Sequence, residues 1–216
     1  MARISSDKMR DYLKVYFIAG SPNSTNPLPQ VLQQAIEGGV TLFQFREKGK
    51  DHLQGKDKEA LGKGLKKICK DNNIPFIVND DVDLAITLDA DGVHVGQDDG
   101  NVAAIRERIG DRILGVSAHN YEEAVQALAD GADYLGVGPV FPTDTKADAE
   151  DVCGPDFIAE LREQGIHVPI VAIGGITESN ADQVVSGKAD GMSVISAITK
   201  AEDPTVAAKN LLRVWK

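Results

Sequence analysis

Tyr121-Glu-Glu-Ala-Val-Gln-Ala-Leu-Ala-Asp130-Gly131-Ala132-Asp133-Tyr134-Leu-Gly-Val137 decides the fold. Asn120 ahead of two glutamates is the start signal of a helix, because an N-cap side chain and first-turn acids satisfy and complement its exposed N–H groups. The helix runs to Asp130, Gly-Ala-Asp supplies small and turn-forming residues for a tight connection, and a short strand follows over Tyr134 to Val137. Related tripeptides recur at Ala90-Asp91-Gly92 and Ala189-Asp190-Gly191, again between a helical stretch and an apolar run.

Outward from this unit, short β-branched runs alternate with amphipathic stretches along the whole chain. Strands are expected at Leu13 to Ala19, Thr41 to Phe45, Phe76 to Asn79, Gly92 to Val95, Ile113 to Ser117, Tyr134 to Val137, Ile170 to Ile173 and Gly191 to Ile195. Helices are expected at Leu28 to Glu37, His52 to Asn72, Val82 to Leu88, Val102 to Ile109, Tyr121 to Asp130, Pro155 to Gln164, Glu178 to Ser186, with Thr177 as its cap, and Pro204 to Val214. Eight strand-helix units close into an α/β (β/α)8 TIM barrel, and 216 residues suffice for one such domain over residues 1–216.

Bulk composition narrows the function classes. A net charge of -10 argues against nucleic acid, whose phosphate backbone calls for a basic patch. No apolar run approaches a membrane span and no secretory pattern opens the chain, so the expectation is a cytoplasmic protein. Cys69 and Cys153, far apart and outside any CxxC pattern, argue against a disulfide.

Chemistry in this barrel class sits at the C-terminal ends of the strands. At the second, Gln44-Phe-Arg-Glu-Lys48 puts Gln44, Arg46 and Lys48 on one face over roughly 13 Å, at about 3.3 Å per residue. Two cations and an amide there suit an anion. Strand three ends in Asn79-Asp80-Asp81, and strand four runs into Gly96-Gln97-Asp98-Asp99. Neighbouring strand tips are about 4.8 Å apart, close enough for two carboxylates to share a hard cation such as magnesium. Asp81 and Asp98 fit better as helix-cap or first-turn acids. Asp80 and Asp99 are the candidate ligands, and no His/Cys cluster has zinc spacing.

Ser117 ends strand five, and His119 just beyond it is a second-tier acid-base candidate. The long loop from Gly138 to Gly154 carries Thr143, Thr145 and Lys146 and has the length of a lid. Gly174 and Gly175 after strand seven, with Ile195 and Ser196 after strand eight, occupy the place where such barrels often bind phosphate on backbone N–H groups. Two anion grips and a metal pair, without a nucleophile-base couple, suit the departure of a diphosphate and its replacement by a second phosphorylated molecule.

Together Gln44-x-Arg46-x-Lys48, Asn79-Asp80-Asp81, Gly96-Gln97-x-Asp99, Gly115-Val-Ser117, Gly138-Pro-x-x-Pro-Thr143-x-Thr145-Lys146 and Ile173-Gly174-Gly175-Ile176 resemble the thiamine-phosphate synthase family. The resemblance runs in order from about Tyr12 to the C-terminus. It implies a transferase that couples 4-amino-2-methyl-5-hydroxymethylpyrimidine diphosphate to a thiazole phosphate, giving thiamine monophosphate and diphosphate. It also implies that Gln44, Arg46, Lys48, Asn79 and Lys146 hold the pyrimidine diphosphate and that Asp80 and Asp99 hold Mg2+. Ser117 would sit at the pyrimidine, and Thr143, Thr145, Gly175, Ile195 and Ser196 around the thiazole phosphate. Arg46, Lys48, Ser117 and Lys146 carry the catalytic roles in this reading.

Two rivals share the pattern. A thiazole tautomerase would be expected to lack the metal pair and the Thr143-x-Thr145-Lys146 motif; His119 keeps it open. A non-catalytic barrel that binds thiamine phosphates would have no use for carboxylates aimed at diphosphate. The sequence leaves formation of a homo-oligomer open, and the expected partners are small-molecule substrates.

Overall fold

The computed structural model describes residues 3–143 and 151–216. Its strands are β1 (Val15–Ala19), β2 (Leu42–Phe45), β3 (Phe76–Asn79), β4 (Gly92–Val95), β5 (Ile113–Ala118), β6 (Tyr134–Val137), β7 (Ile170–Ile173) and β8 (Gly191–Val194), closed in that order into a parallel barrel. Around them lie α1 (Ser6–Leu13), α2 (Leu28–Gly38), α3 (Gly55–Asp71), α4 (Val82–Thr87), α5 (Val102–Ile109), α6 (Tyr121–Ala129), α7 (Asp156–Glu163), α8 (Ala181–Ser186), α9 (Ser196–Thr199) and α10 (Pro204–Arg213). The chain is therefore a (β/α)8 barrel, as its alternating pattern predicts.

Strand alternation divides the core into two. Val15, Phe17 and Ala19 of β1 face the helices with Phe43, Phe45, Phe76 and Val78, whereas Tyr16 and Ile18 face inward with Leu42, Ile77, Tyr134 and Val171. Parallel strands covered on both sides read as continuous apolar runs, which is why these segments are visible in sequence.

Helix α1 is not foreseen. Its sequence, Ser-Asp-Lys-Met-Arg-Asp-Tyr-Leu, is mostly polar, yet Ser5 caps it by accepting from the Lys8 N–H at 3.4 Å. Met9 and Leu13, four residues apart, pack into the inner cluster and are fully buried. The expected first strand starts two residues early because Leu13 closes this helix. Helix α8 begins at Ala181, not Glu178: Asn180 precedes it as the N-cap residue and the Thr177 hydroxyl is engaged with that of Ser179 (2.9 Å), so Thr177 is not its cap. The cap at Asn120 is present, accepting from the Glu123 N–H at 2.9 Å.

The three turn tripeptides share a device. Asp91, Asp133 and Asp190 each accept a backbone N–H from the start of the preceding strand: Phe76, Leu114 and Ile170, all at 2.8 Å. Asp133 is additionally clamped by Arg3 (2.7 Å) and Arg106 (2.6 Å), and Asp190 by Arg10 (3.1 Å) and Arg162 (2.5 Å). These carboxylates tie the N-terminal end of the barrel, the end away from the chemistry. Replacing Asp133 by Ala takes the carboxylate from the half-buried Arg106, which keeps only its bonds to the Gly110, Arg112 and Gly131 carbonyls, and leaves the Leu114 N–H unpaired, at a cost of about 3–5 kcal/mol. For a chain of this size the melting temperature should fall by about 10 °C. A urea melt showing a loss below about 1 kcal/mol would contradict this account.

Candidate active site

Strand β2 ends at Phe45, but the Arg46 N–H still bonds the Ala19 carbonyl (2.9 Å), carrying the β1 ladder one residue further. Gln44 points into the barrel and is almost wholly buried, its Nε2 donating to the Tyr16 hydroxyl at 2.6 Å. Arg46 is buried at the rim, and Lys48 reaches across to the tips of β3 and β4. The intervening Glu47, passed over in the sequence, is also buried. It accepts from the Ser21 N–H (2.8 Å), the Ser21 hydroxyl (2.5 Å) and the Leu53 N–H (2.8 Å), so it braces the loops on either side of the cationic pair. Its spacing alone carried no signal, since a lone acid between two bases reads as surface charge.

Asn79 ends β3, and Asp80 follows in the left-handed region (φ 59°), which Asp and Asn tolerate better than other residues with a Cβ. Its N–H bonds the His94 carbonyl at 2.8 Å. Asp99, in the turn after β4, accepts the Gly96 N–H at 2.7 Å. The Lys48 ammonium pairs with Asp80 and lies 3.9 Å from Asp99. Burial, reinforced by the hydrogen bond to Asp99 and only partly offset by Lys48, pushes the Asp80 carboxyl up to about 6. At Asp99 burial works the same way, but the bonds from Asp80 and the Gly96 N–H and the charge of Lys48 outweigh it, holding that carboxyl below its usual range. Two neighbouring carboxyls beside one lysine form a pair of hard oxygen donors short of positive charge. Such a pair fits a divalent cation whose remaining ligands are water and substrate phosphate. Among the described residues no group of three acidic, His or Cys side chains could hold a metal without substrate.

Asp81 is the N-cap of α4, accepting from the Leu84 N–H (2.9 Å) and pairing with Lys58 (2.7 Å), as expected. Asp98 is not a cap: it sits in an exposed turn, and Asn101 caps α5 instead.

Ser117 lies near the end of β5 with its hydroxyl 3.0 Å from His94 Nε2, and its carbonyl accepts from Gln97 at 2.5 Å. The other imidazole nitrogen is 2.9 Å from the Tyr134 hydroxyl, which is 2.8 Å from that of Tyr16. His94, Tyr16 and Tyr134 were not anticipated, although inward-facing polar residues at alternate strand positions were the available signal. His119 lies just beyond β5 and pairs with Glu123. Its N–H and Nδ1 both meet a Glu123 carboxylate oxygen, at 2.8 and 3.1 Å, beside the cap of α6.

At the ends of β7 and β8, Thr143, Gly175 and Ser196 line one hollow of about 370 Å³, together with Pro142, Ile176, Thr177 and Lys200. Gly175 (φ 63°) packs so tightly on Phe141 and Pro142 that any side chain there would collide with them. Ile195, buried, is the residue from which α9 starts. Lys200, one turn beyond Ser196, adds a cation that the motif did not include. Thr145 and Lys146 lie outside the described residues. A larger hollow of about 810 Å³ opens at the other end of the barrel, between Tyr12, Pro75, Asp91 and Arg112. It lies among the structural ion pairs, so the chemistry belongs to the rim, where this barrel class places it.

Fold and rim together define a (β/α)8-barrel enzyme built to handle anionic substrates. The comparisons with known proteins sharpen that class. Residues 15–198 match the family model described as thiamine monophosphate synthase. The chain is 60% identical over 211 residues to a protein named thiamine-phosphate synthase from Geobacillus kaustophilus, covering 98% of this chain and 96% of the relative. It is 54% identical over 209 residues to one of the same name from Bacillus licheniformis, covering 97% and 93%. A solved structure, the thiamine phosphate pyrophosphorylase from Pyrococcus furiosus, superimposes with a TM-score of 0.85 at 36% identity, covering 95% of this chain and 96% of that one. The chain belongs to the thiamine monophosphate synthase family, whose named members are transferases. A 3-hexulose-6-phosphate synthase from Salmonella typhimurium, 18% identical with a TM-score of 0.71, shares the fold alone.

Proposed function

We propose that this enzyme joins 4-amino-2-methyl-5-hydroxymethylpyrimidine diphosphate to a thiazole phosphate, releasing diphosphate and giving thiamine monophosphate. The observation that carries the reading is the convergence of Lys48, Asp80 and Asp99 at one point of the rim. Asp80 and Asp99 would hold Mg2+, which when bound neutralises charge on the diphosphate. Arg46 and Lys48, with Lys146, bind the diphosphate and stabilise the charge it gains as the bond from the pyrimidine methyl carbon to oxygen breaks. The electron pair leaves with the diphosphate. Gln44, Asn79 and Ser117 hold the ring so that the thiazole nitrogen meets the vacated carbon, and its lone pair forms the new bond. No proton moves in that step, so no general base is required. With a thiazole carboxylate, carbon dioxide also leaves.

The thiazole phosphate fits the hollow lined by Thr143, Gly175, Ser196 and Lys200, beside Ile195 and, in this reading, Thr145. The barrel works as one domain on small molecules in the cytoplasm. Among the described residues no helix is long and apolar enough to cross a membrane. The test is to incubate the purified protein with both substrates and magnesium and to assay thiamine monophosphate and diphosphate with and without a chelator. Equimolar, magnesium-dependent formation of both is expected. Binding of both substrates without product would overturn the reading.

A further inference from the structure

We infer that Glu47 is a positioning residue for the diphosphate grip: its carboxylate holds the two loops from which Arg46 and Lys48 project, so that neutralising it weakens diphosphate binding, where the loss of a nearby negative charge alone would strengthen it. This rests on the function proposed above, which gives Arg46 and Lys48 their ligand and leaves the acid between them without a part.

An anion between two cations that meet diphosphate works against them, because it repels the phosphates and cancels part of the attraction its neighbours supply. Its bonds show what it does instead. Lys48 reaches Asp80 and Asp99, whereas the buried Glu47 turns both oxygens to the flanking loops. Oε2 accepts from the Ser21 N–H at 2.8 Å, and Oε1 accepts from the Ser21 hydroxyl at 2.5 Å and the Leu53 N–H at 2.8 Å. The bond to Leu53 closes the segment from Lys48 to His52 into a loop, inside which His52 Nδ1 lies 2.7 Å from the Gly49 carbonyl oxygen. Lys48 therefore projects from a loop tied at its base.

Arg46 is held from the other side. Its N–H bonds the Ala19 carbonyl at 2.9 Å, and Gly20 packs so closely on the Arg46–Glu47 peptide that a Cβ there would stand 2.1 Å from the Arg46 carbonyl oxygen. Ser21, the next residue, is the one that Glu47 grips through two bonds. One side chain thus locks the β1–α2 and β2–α3 connections to each other across the two cations.

The arrangement demands a carboxylate. Three donors converge on Glu47, two of them backbone N–H groups, and an ionised carboxylate is acceptor only. An amide of the same size presents one oxygen and one NH2 group. Turned one way, the NH2 faces the Ser21 N–H; turned the other, it faces the Leu53 N–H. Either way one backbone donor loses its acceptor, and the loop that carries it must shift to find another.

The test is calorimetric binding of inorganic diphosphate, in the presence of magnesium, to wild type and Glu47→Gln, set beside the KM of each substrate. Diphosphate affinity should fall about tenfold, the scale of one unsatisfied N–H group, and the KM for the pyrimidine diphosphate should rise with it. The KM for the thiazole phosphate should stay unchanged, because its hollow is lined by none of Ser21, Glu47 and Leu53. Tighter diphosphate binding would show Glu47 acting as a nearby charge only, and would overturn the inference. So would unchanged binding, or an equal rise in both KM values, which would mean a general loosening of the barrel. If Glu47→Gln fails to fold, Ser21→Ala decides: it removes the hydroxyl donor alone and should weaken diphosphate binding about threefold, and an unchanged affinity there would overturn the inference. A wild type that binds no diphosphate would instead count against the proposed function.

Discussion

Asp80→Asn lowers turnover by about 10²–10³-fold while leaving the melting temperature of the metal-free protein unchanged or higher. Asparagine keeps the size and the tolerance for the left-handed backbone that this position needs (φ 59°). What it removes is charge, and a neutral amide is a poor ligand for a hard dication. In the absence of metal the same change is benign, because the Asp80 carboxyl is already raised to about 6 by burial and by Asp99 beside it. Opposite effects on rate and on stability separate a ligand from a structural residue. A variant with wild-type turnover at limiting magnesium would remove Asp80 from the site.

The sign with pH is fixed by the same carboxyl. A group whose folded value is raised contributes stability that is present in full below its ordinary value of 3.8 and is lost as pH rises through about 6. Asp99, held low, acts the other way and contributes above its ordinary range. In chelator, the melting temperature of Asp80→Asn relative to wild type should therefore rise between pH 4 and 6. Under the proposed function the proton and magnesium would compete for Asp80, so the wild type should need more metal below about pH 6.

The parts legible in sequence were those governed by local pattern. Buried parallel strands such as Phe76–Asn79 and Tyr134–Val137 are apolar on both faces, and their bounds follow from composition alone. Helix α1 was hidden because two apolar side chains, Met9 and Leu13, suffice to plug a barrel end, too few to register as a periodicity. At the site, strand-tip charges at Lys48, Asp80 and Asp99 stood out because an apolar run gave way to them. His94 and Tyr134 did not, since a histidine or tyrosine inside an apolar strand looks like core. Their meaning appears only when parallel register sets His94 beside Gly115, and Gly115 beside Tyr134. Lys200 escaped for a different reason: it joins the hollow after β7 and β8 from beyond a four-residue helix, where spacing from Ser196 carries no rule.

Lys48→Met should move two affinities in opposite directions. In the structure the Lys48 ammonium pairs with Asp80 and stands 3.9 Å from Asp99, the place a divalent cation would fill. Metal and ammonium cannot both neutralise the same carboxylates at close range, so under the proposed function a metal held by the pair would free the lysine for a diphosphate beside it. Methionine retains most of the apolar stem and removes the charge. Without its competitor the metal should bind a few-fold tighter, the modest worth of a partly exposed ion pair. The pyrimidine diphosphate should bind far more weakly, and kcat/KM for it should fall by about 10²–10³-fold, because a cation aimed at the leaving group is gone. Calorimetric titration of magnesium into the free enzyme, set beside kinetics at saturating metal, reads the two effects separately. Weakening of both together would mean that Lys48 supports the metal pair as scaffold and does not alternate between carboxylate and diphosphate.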